Sequence, residues 1–143
     1  YDTYQCKDNK YIAVGSIETQ FYNELLEKLE IDDERFLDQY NKELWAELKG
    51  LIALKIKSKT RYEWVEIFSQ SDACVTPVLD MQEAQEHPHN VARKAFINID
   101  GFNQPNASPR YSKTKLEIKH NAKEVGVDLD DICNEFNLAK EAF

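Results

Sequence analysis

Two short apolar stretches near the start of the chain are separated by polar residues that include Asp8 and Asn9. Asp and Asn tolerate a positive backbone φ, so this pattern predicts a β-hairpin with a tight turn at these two residues. The second strand is expected over residues 11–17, with Gly15 close to its end. The hairpin therefore supplies the first two strands of a small antiparallel sheet.

From Thr19 onward the apolar residues recur at the spacing of an amphipathic helix. The first apolar stripe is formed by Phe21, Tyr22, Leu25, Leu26 and Leu29. Residues 31–39 are expected to form a turn or a short helical piece, and residues 41–58 a longer helix. The buried stripe of that longer helix is predicted to be Leu44, Trp45, Leu48, Leu51, Ile52 and Ile56. Thr60 and Glu63 have the spacing of a capping box, which predicts a further helix.

The second half of the chain carries shorter elements. Residues 73–78 read as a strand that Pro77 confines to a sheet edge or to its own end. Within this strand Cys74 is expected to be a buried, unreactive thiol. A helix over residues 81–86, a break at 87–90, a helical stretch at 91–94 and a strand near 96–102 are expected next. A loop at 104–112 follows, and a last helix begins near residue 129.

These elements predict an α+β fold in which a small antiparallel sheet with an N-terminal β-hairpin packs against several helices. The 143 residues are enough for one domain with a modest core. The sequence does not begin with Met, so we expect a processed chain or a piece of a longer protein. A piece removed from a larger protein is expected to expose apolar surface, at Trp45 or Trp64, and to self-associate.

The charge of the chain narrows the classes of partner. The formal net charge is −8, and the basic stretches at 55–61 and 110–119 are interrupted by apolar residues. Such a surface repels phosphate backbones, so no nucleic acid is expected as a partner.

No apolar run approaches the roughly 18 residues that span a bilayer, so no membrane partner is expected. Three widely spaced cysteines indicate a reducing compartment rather than a disulfide framework.

Glu18 is the candidate for chemistry, because it lies where a strand ends and a helix begins. Backbone amides point outward at such a junction and favour an anion. The alternative interpretation is that Glu18 only caps the helix. His87 and His89 flank Pro88 without a third ligand at metal-binding spacing, so they are interpreted as part of a break between two helices. The scattered glycines form neither a dinucleotide-binding nor a phosphate-binding loop.

Several stretches resemble the family III CoA-transferase superfamily, and within it the racemases of 2-methylacyl-CoA thioesters. The resemblance is carried by residues 1–22, including Gly15-Ser16-Ile17-Glu18, by residues 72–79 and 87–93, and by Ser-Pro-Arg-Tyr-Ser at 108–112. It extends in order over residues 1–113, which implies the small C-terminal domain of such an enzyme. Residues 114–143 match more loosely and are expected to form a C-terminal helical tail.

The resemblance implies roles for particular residues. Glu18 corresponds to a carboxylate beside the catalytic His, and Tyr1 and Ile17 correspond to positions that line the acyl pocket. The catalytic His and Asp belong to a large Rossmann-like CoA-binding domain upstream of Tyr1. Two subunits interlock in this family, so the implied partners are that large domain, an acyl-CoA substrate and a second subunit in a homodimer. The implied chemistry needs no metal or redox cofactor.

The same resemblance implies inversion of the 2-methyl centre of an acyl-CoA by removal and return of a proton through an enolate. This piece alone is expected to be inactive, since it lacks the CoA-binding domain. Family members often have Pro where this chain has Thr19, which weakens the helix start without moving Glu18. The implied location is the peroxisome or mitochondrion for a eukaryotic protein and the cytoplasm for a bacterial one. A CoA-transferase of the same superfamily and a non-catalytic dimerisation module are the alternatives.

Overall fold

The chain divides into two compact units in a computed structural model that describes residues 1–139. The first unit is Tyr1–Asp80, and the second begins at Met81. The domain boundary after residue 113 that the resemblance implies stays a prediction. Residues 140–143 of the expected helical tail lie outside the described residues.

The first unit contains a three-stranded antiparallel sheet in the order β1-β2-β3. Its strands are β1 (Asp2–Gln5), β2 (Tyr11–Val14) and β3 (Val75–Val78). The predicted turn between β1 and β2 is confirmed, since Asn9 has a φ of 62° and the Cys6 amide donates to the Lys10 carbonyl at 2.8 Å. Pro77 lies on the edge strand β3 opposite Ile12, also as predicted.

The helices of the first unit follow the predicted order. They are α1 (Thr19–Lys28), a 3₁₀ helix (Glu34–Leu37), α2 (Trp45–Ile56) and α3 (Arg61–Phe68). The predicted capping box opens α3: the Glu63 amide donates to the Thr60 hydroxyl at 3.3 Å, and the Thr60 amide donates to the Glu63 carboxylate at 2.8 Å. The Thr60 amide and hydroxyl both donate to the Glu63 carboxylate, and these two hydrogen bonds hold the pKa of Glu63 below its usual range.

One hydrophobic core joins the sheet to the helices of this unit. Its members include Tyr4, Ile12 and Val14 from the sheet and Leu25, Leu29, Phe36, Leu48, Ile52, Ile56, Trp64 and Phe68 from the helices. Trp64 is fully buried, and its indole nitrogen donates a 2.7 Å hydrogen bond to the Ile56 carbonyl. The polar atom of this large side chain is therefore satisfied inside the core.

The predictions for helix α2, strand β2 and Cys74 were wrong in detail. Helix α2 begins at Trp45 rather than near residue 41, because Asn41 starts a tight turn before the helix. In this turn the Asn41 side chain accepts a hydrogen bond from the Glu43 amide, and the Asn41 carbonyl accepts one from the Leu44 amide. Strand β2 ends at Val14, since the next amide, that of Gly15, donates its hydrogen bond to the Cys74 carbonyl, which lies before β3. Cys74 precedes β3 with a φ of 53° and is exposed rather than buried.

The second unit is built from short elements. They are α4 (Met81–Glu86), α5 (Pro88–Ala92), β4 (Phe96–Ile99), β5 (Phe102–Pro105) and α6 (Leu129–Phe136). The hairpin of β4 and β5 turns at Asp100 and Gly101, which both have positive φ. Strand β5 takes the first residues of the predicted loop, and the predicted last helix is confirmed. The break predicted over residues 87–90 is limited to His87, because Pro88 suits the first turn of a helix and α5 begins there. Within residues 1–139 no helix is long and apolar enough to cross a bilayer.

Together the two units confirm the predicted α+β fold. Two antiparallel sheets and six α-helices are present in the described part of the chain. The predicted N-terminal hairpin forms two of the three strands in the larger sheet. The functional candidates Tyr1, Ile17 and Glu18 all lie in the first unit.

Candidate functional site

Glu18 occupies the N-cap position of helix α1. Its backbone is extended, with φ −70° and ψ 143°, and its carbonyl accepts the first helical hydrogen bond from the Tyr22 amide at 2.9 Å. The Glu18 side chain makes no capping hydrogen bond and is exposed. The carboxylate is therefore placed at the helix start as predicted, but it does not act there as a hydrogen-bonding cap.

The segment that carries Glu18, residues 15–18, is tied to the sheet at two points. The Gly15 amide donates to the Cys74 carbonyl at 2.9 Å, and the buried Ser16 hydroxyl donates to the Ala73 carbonyl. Both partners belong to the stretch that leads into β3. The end of β2 is therefore held against a distant part of the chain before helix α1 begins.

A third attachment comes from the turn before helix α2. The side-chain amide of Gln39 donates to the Ile17 carbonyl at 2.8 Å, and the Tyr40 hydroxyl reaches the same carbonyl at 3.4 Å. The indole nitrogen of Trp45 in turn donates to the Gln39 carbonyl at 3.0 Å. The start of α2 is thereby linked through Gln39 to the residue directly before Glu18.

An apolar cleft of about 370 Å³ opens beside this segment. It is lined by Tyr1, Tyr4, Ser16, Ile17, Tyr22, Gln39, Tyr40, Trp45, Leu48, Lys49 and Ile52. The two residues that the resemblance assigns to the acyl pocket, Tyr1 and Ile17, thus lie on one cleft, with exposures of 81% and 49%. Glu18 follows Ile17 directly in the chain. The structure brings the three candidates to one region of the first unit.

Two ionisable features border this cleft. Lys49 forms an ion pair with Asp2, and its hydrogen bond is the main reason why the pKa of the Asp2 carboxyl lies below its usual range. Burial, together with the charges of Asp2 and Tyr22, raises the pKa of Tyr4 to about 12. Burial also raises the pKa of Tyr22. Both phenols therefore stay protonated at neutral pH and cannot act there as bases.

Some residues of the cleft were missed by sequence reasoning. Trp45 was assigned to the buried stripe of a helix but is 45% exposed and lines the cleft, whereas Trp64 is buried. The expectation of an exposed tryptophan is therefore met by Trp45. Gln39 and Tyr40 belong to a polar stretch with no motif, so no local signal in the sequence identifies them.

The histidine pair in the second unit lies at the start of helix α5. His87 is the N-cap residue of α5 with Pro88 in the first turn, which makes the pair part of a helix boundary. Across the described residues, no group of three or more His, Cys, Asp or Glu side chains gathers in a way that could hold a metal ion.

Comparison with known proteins identifies the family. Residues 1–128 match the model of CoA-transferase family III. The chain belongs to CoA-transferase family III. This confirms the superfamily that the sequence resembles, and the match covers most of both structural units.

Individual relatives refine the comparison. The chain is 37% identical to the alpha-methylacyl-CoA racemase of Mus musculus and 34% identical to that of Homo sapiens, over 99% of its own length in both cases. It is also 34% identical to a CaiB/baiF CoA-transferase family protein of Caenorhabditis elegans over 77% of its length. The chain spans 38% and 37% of the lengths of the two racemases, which is consistent with a fragment.

Solved structures share the fold of this chain. Rv3272 from Mycobacterium tuberculosis matches 83% of this chain and 34% of its own with a TM-score of 0.68. A mutant form of Rv3272 matches 96% of this chain and 39% of its own with a TM-score of 0.71. Both are 18% identical in sequence to this chain, so they support the fold alone.

Proposed function

We propose that this chain is the small domain of a CoA-thioester racemase and that it contributes Glu18 to the active site. The observation that carries the proposal is the position of Glu18 beside a cleft lined by Tyr1 and Ile17, with a carboxylate that makes no capping hydrogen bond to helix α1. The alpha-methylacyl-CoA racemases that match over 99% of the chain support this choice of reaction. The substrate would be a 2-methylacyl-CoA.

Racemisation of such a thioester requires a base on one face of the α-carbon and a proton donor on the other. The base takes the α-proton as the carbon–hydrogen bond breaks, the electron pair moves into an enolate, and a proton returns to the opposite face. The proposed role of Glu18 is to hold a histidine of the CoA-binding domain in its productive tautomer and to favour its protonated form. Tyr1 and Ile17 would contact the acyl chain.

The conformation of Glu18 supports this role over that of a helix cap. A capping carboxylate turns back onto the amides of the first helical turn, and that hydrogen bond is absent at Glu18. Helix α1 still begins at this point, because the Glu18 carbonyl accepts from the Tyr22 amide. The side chain is therefore left to interact with a group outside the described residues, and a histidine of the large domain is the proposed partner.

The decisive experiment measures α-proton exchange of a 2-methylacyl-CoA in deuterated water with the full-length protein that contains this chain. We expect exchange by the wild type and a loss of about 100-fold or more in Glu18→Gln. Glu27→Gln is the matched control, since Glu27 is an exposed carboxylate on the same helix, and its rate should stay within about 2-fold of wild type. The chain without the CoA-binding domain should be inactive.

The competing reaction is CoA transfer between two carboxylic acids. The family III membership and the Caenorhabditis elegans relative support this alternative. In that case the full-length protein moves CoA from one acid to another and exchanges no α-proton. Absence of exchange in the wild type would refute the racemase proposal. Exchange that is unaffected by Glu18→Gln would refute the role of Glu18 and favour a structural module.

The proposed assembly is a homodimer in which the small domain faces the large domain of the partner. Exposed apolar side chains on the first unit support an interface, among them Leu37, Tyr40 and Leu54. Light scattering should give a dimer for the full-length protein, and a monomer at high concentration would contradict this assembly. For a eukaryotic source the proposed location is the peroxisome or mitochondrion, and for a bacterial source the cytoplasm.

A further inference from the structure

We propose that Gln39 is a positioning residue for Glu18, acting through the backbone carbonyl of Ile17. The inference rests on the proposed function, because it assigns to Gln39 the task of fixing the carboxylate that the reaction would use. Gln39 follows the 3₁₀ helix, 22 positions away from Ile17 in the sequence. Its side chain is half-buried in the wall of the apolar cleft.

The geometry fixes both peptide groups that flank the α-carbon of Glu18. The Ile17 carbonyl belongs to the same planar peptide unit as the Glu18 amide, so the 2.8 Å hydrogen bond from Gln39 orients that plane. On the other side, the Glu18 carbonyl is held by the Tyr22 amide at 2.9 Å. With both planes fixed, the direction in which the Glu18 side chain leaves the backbone is also fixed.

The chemistry of Gln39 suits this task. Its amide nitrogen faces two backbone carbonyls, that of Ile17 at 2.8 Å and that of Ser16 at 3.5 Å. Carbonyl oxygens only accept hydrogen bonds, so a group with N–H donors is required at this position. The Tyr40 hydroxyl also reaches the Ile17 carbonyl, but at 3.4 Å it is a weaker partner. Gln39 is therefore the main side-chain attachment of this peptide.

The backbone of Gln39 is itself hydrogen-bonded to helix α2. The indole nitrogen of Trp45, the first residue of that helix, donates to the Gln39 carbonyl at 3.0 Å. The attachment thus runs from a helix whose residues Leu48 and Ile52 are buried in the core, through Gln39, to the peptide before Glu18. A fixed carboxylate is required because a misplacement of about 1 Å at a catalytic group costs on the order of 100-fold in rate.

The test compares Gln39→Met with Gln85→Met in the full-length protein that contains this chain. Met has nearly the shape of Gln but no donor. Gln85 is also a half-buried glutamine whose amide donates to a backbone carbonyl, that of Met81 at 3.1 Å, and it lies in the second unit. We expect Gln39→Met to lower kcat for α-proton exchange about 10- to 100-fold with KM within about 3-fold, and Gln85→Met to change neither.

A double-mutant cycle separates positioning from general destabilisation. If Gln39 acts through Glu18, then Gln39→Met should lower the residual rate of Glu18→Gln by less than about 2-fold. Equal losses in both backgrounds would overturn the proposal, as would a normal kcat in the single variant. A purely structural effect would lower the rate by the same factor whether or not Glu18 is present.

A second measurement does not depend on catalysis. Amide hydrogen exchange of the peptide that contains residues 15–18 should become several-fold faster in Gln39→Met and stay unchanged in Gln85→Met. Unchanged exchange in Gln39→Met would overturn the attachment itself. If the wild type shows no α-proton exchange but this segment loses protection in Gln39→Met, the proposed reaction fails while the attachment of the Glu18 peptide by Gln39 is supported.

Discussion

The indole nitrogen of Trp64 in helix α3 donates a 2.7 Å hydrogen bond to the carbonyl of Ile56, the last residue of helix α2. Both residues are fully buried, so this bond joins two helices inside the core. It also satisfies a carbonyl close to the end of α2, where intrahelical partners run out. The packing of the two helices therefore depends on one polar atom as well as on apolar contact.

Replacement of Trp64 should be costly for this reason. We expect Trp64→Phe to lower the free energy of unfolding by about 2–3 kcal/mol, since it leaves the Ile56 carbonyl without this donor and opens space in the core. Urea unfolding followed by circular dichroism measures the change. Tyr62→Phe on the same helix is the control, because Tyr62 is largely exposed and its effect should stay below about 0.5 kcal/mol.

The two N-caps at Thr60 and Glu18 should respond differently to truncation. Thr60→Ala removes a capping hydrogen bond and should lower the free energy of unfolding by about 1–2 kcal/mol. Glu18→Ala removes no such bond and should change it by less than about 0.5 kcal/mol. Thermal or urea unfolding of both variants checks this difference. Equal losses would mean that Glu18 is a structural cap after all.

The capping box should also contribute to the pH dependence of stability. Hydrogen bonds from Thr60 hold the pKa of Glu63 below its usual value of 4.5 in the folded chain, and the charges of Lys7 and Lys59 act in the same direction. A carboxyl with a depressed pKa stabilises the fold above its unfolded pKa, and this contribution is lost as the pH falls through the folded pKa. The free energy of unfolding, measured with urea at pH values from neutral to below 4.5, should therefore fall less steeply with decreasing pH in Glu63→Gln than in the wild type. An unchanged slope would contradict the prediction.

Ile17 should affect substrate binding more than the chemical step. Ile17→Ala removes apolar contact from the cleft, so KM for a 2-methylacyl-CoA should rise about 5- to 50-fold in the full-length protein, with kcat changed less. Ile132→Ala provides a matched control, since Ile132 is 44% exposed in helix α6 against 49% for Ile17. Steady-state kinetics of both variants measure the effect. A loss confined to kcat would place Ile17 outside the acyl contact.

Local patterns in the sequence determined many individual elements of this protein. The Asp8-Asn9 turn, the edge position of Pro77 and the capping box at Thr60 depend on backbone preferences of single residues or on contacts within one helical turn. The position of Glu18 at a helix start also follows from adjacent residues. Such features are readable in advance because their causes lie within a few residues.

The tertiary structure decided what surrounds Glu18. Cys74 is exposed because its φ of 53° takes it out of the extended strand that begins at Val75. Trp45 lines a cleft because a tight turn displaces the start of α2. The hydrogen bond from Gln39 to Ile17 joins residues 22 positions apart. No local preference encodes these contacts, because each depends on how separate elements pack against one core. Adjacent residues in the sequence therefore place Glu18 at a helix start, whereas the packing of distant elements decides which groups lie around it.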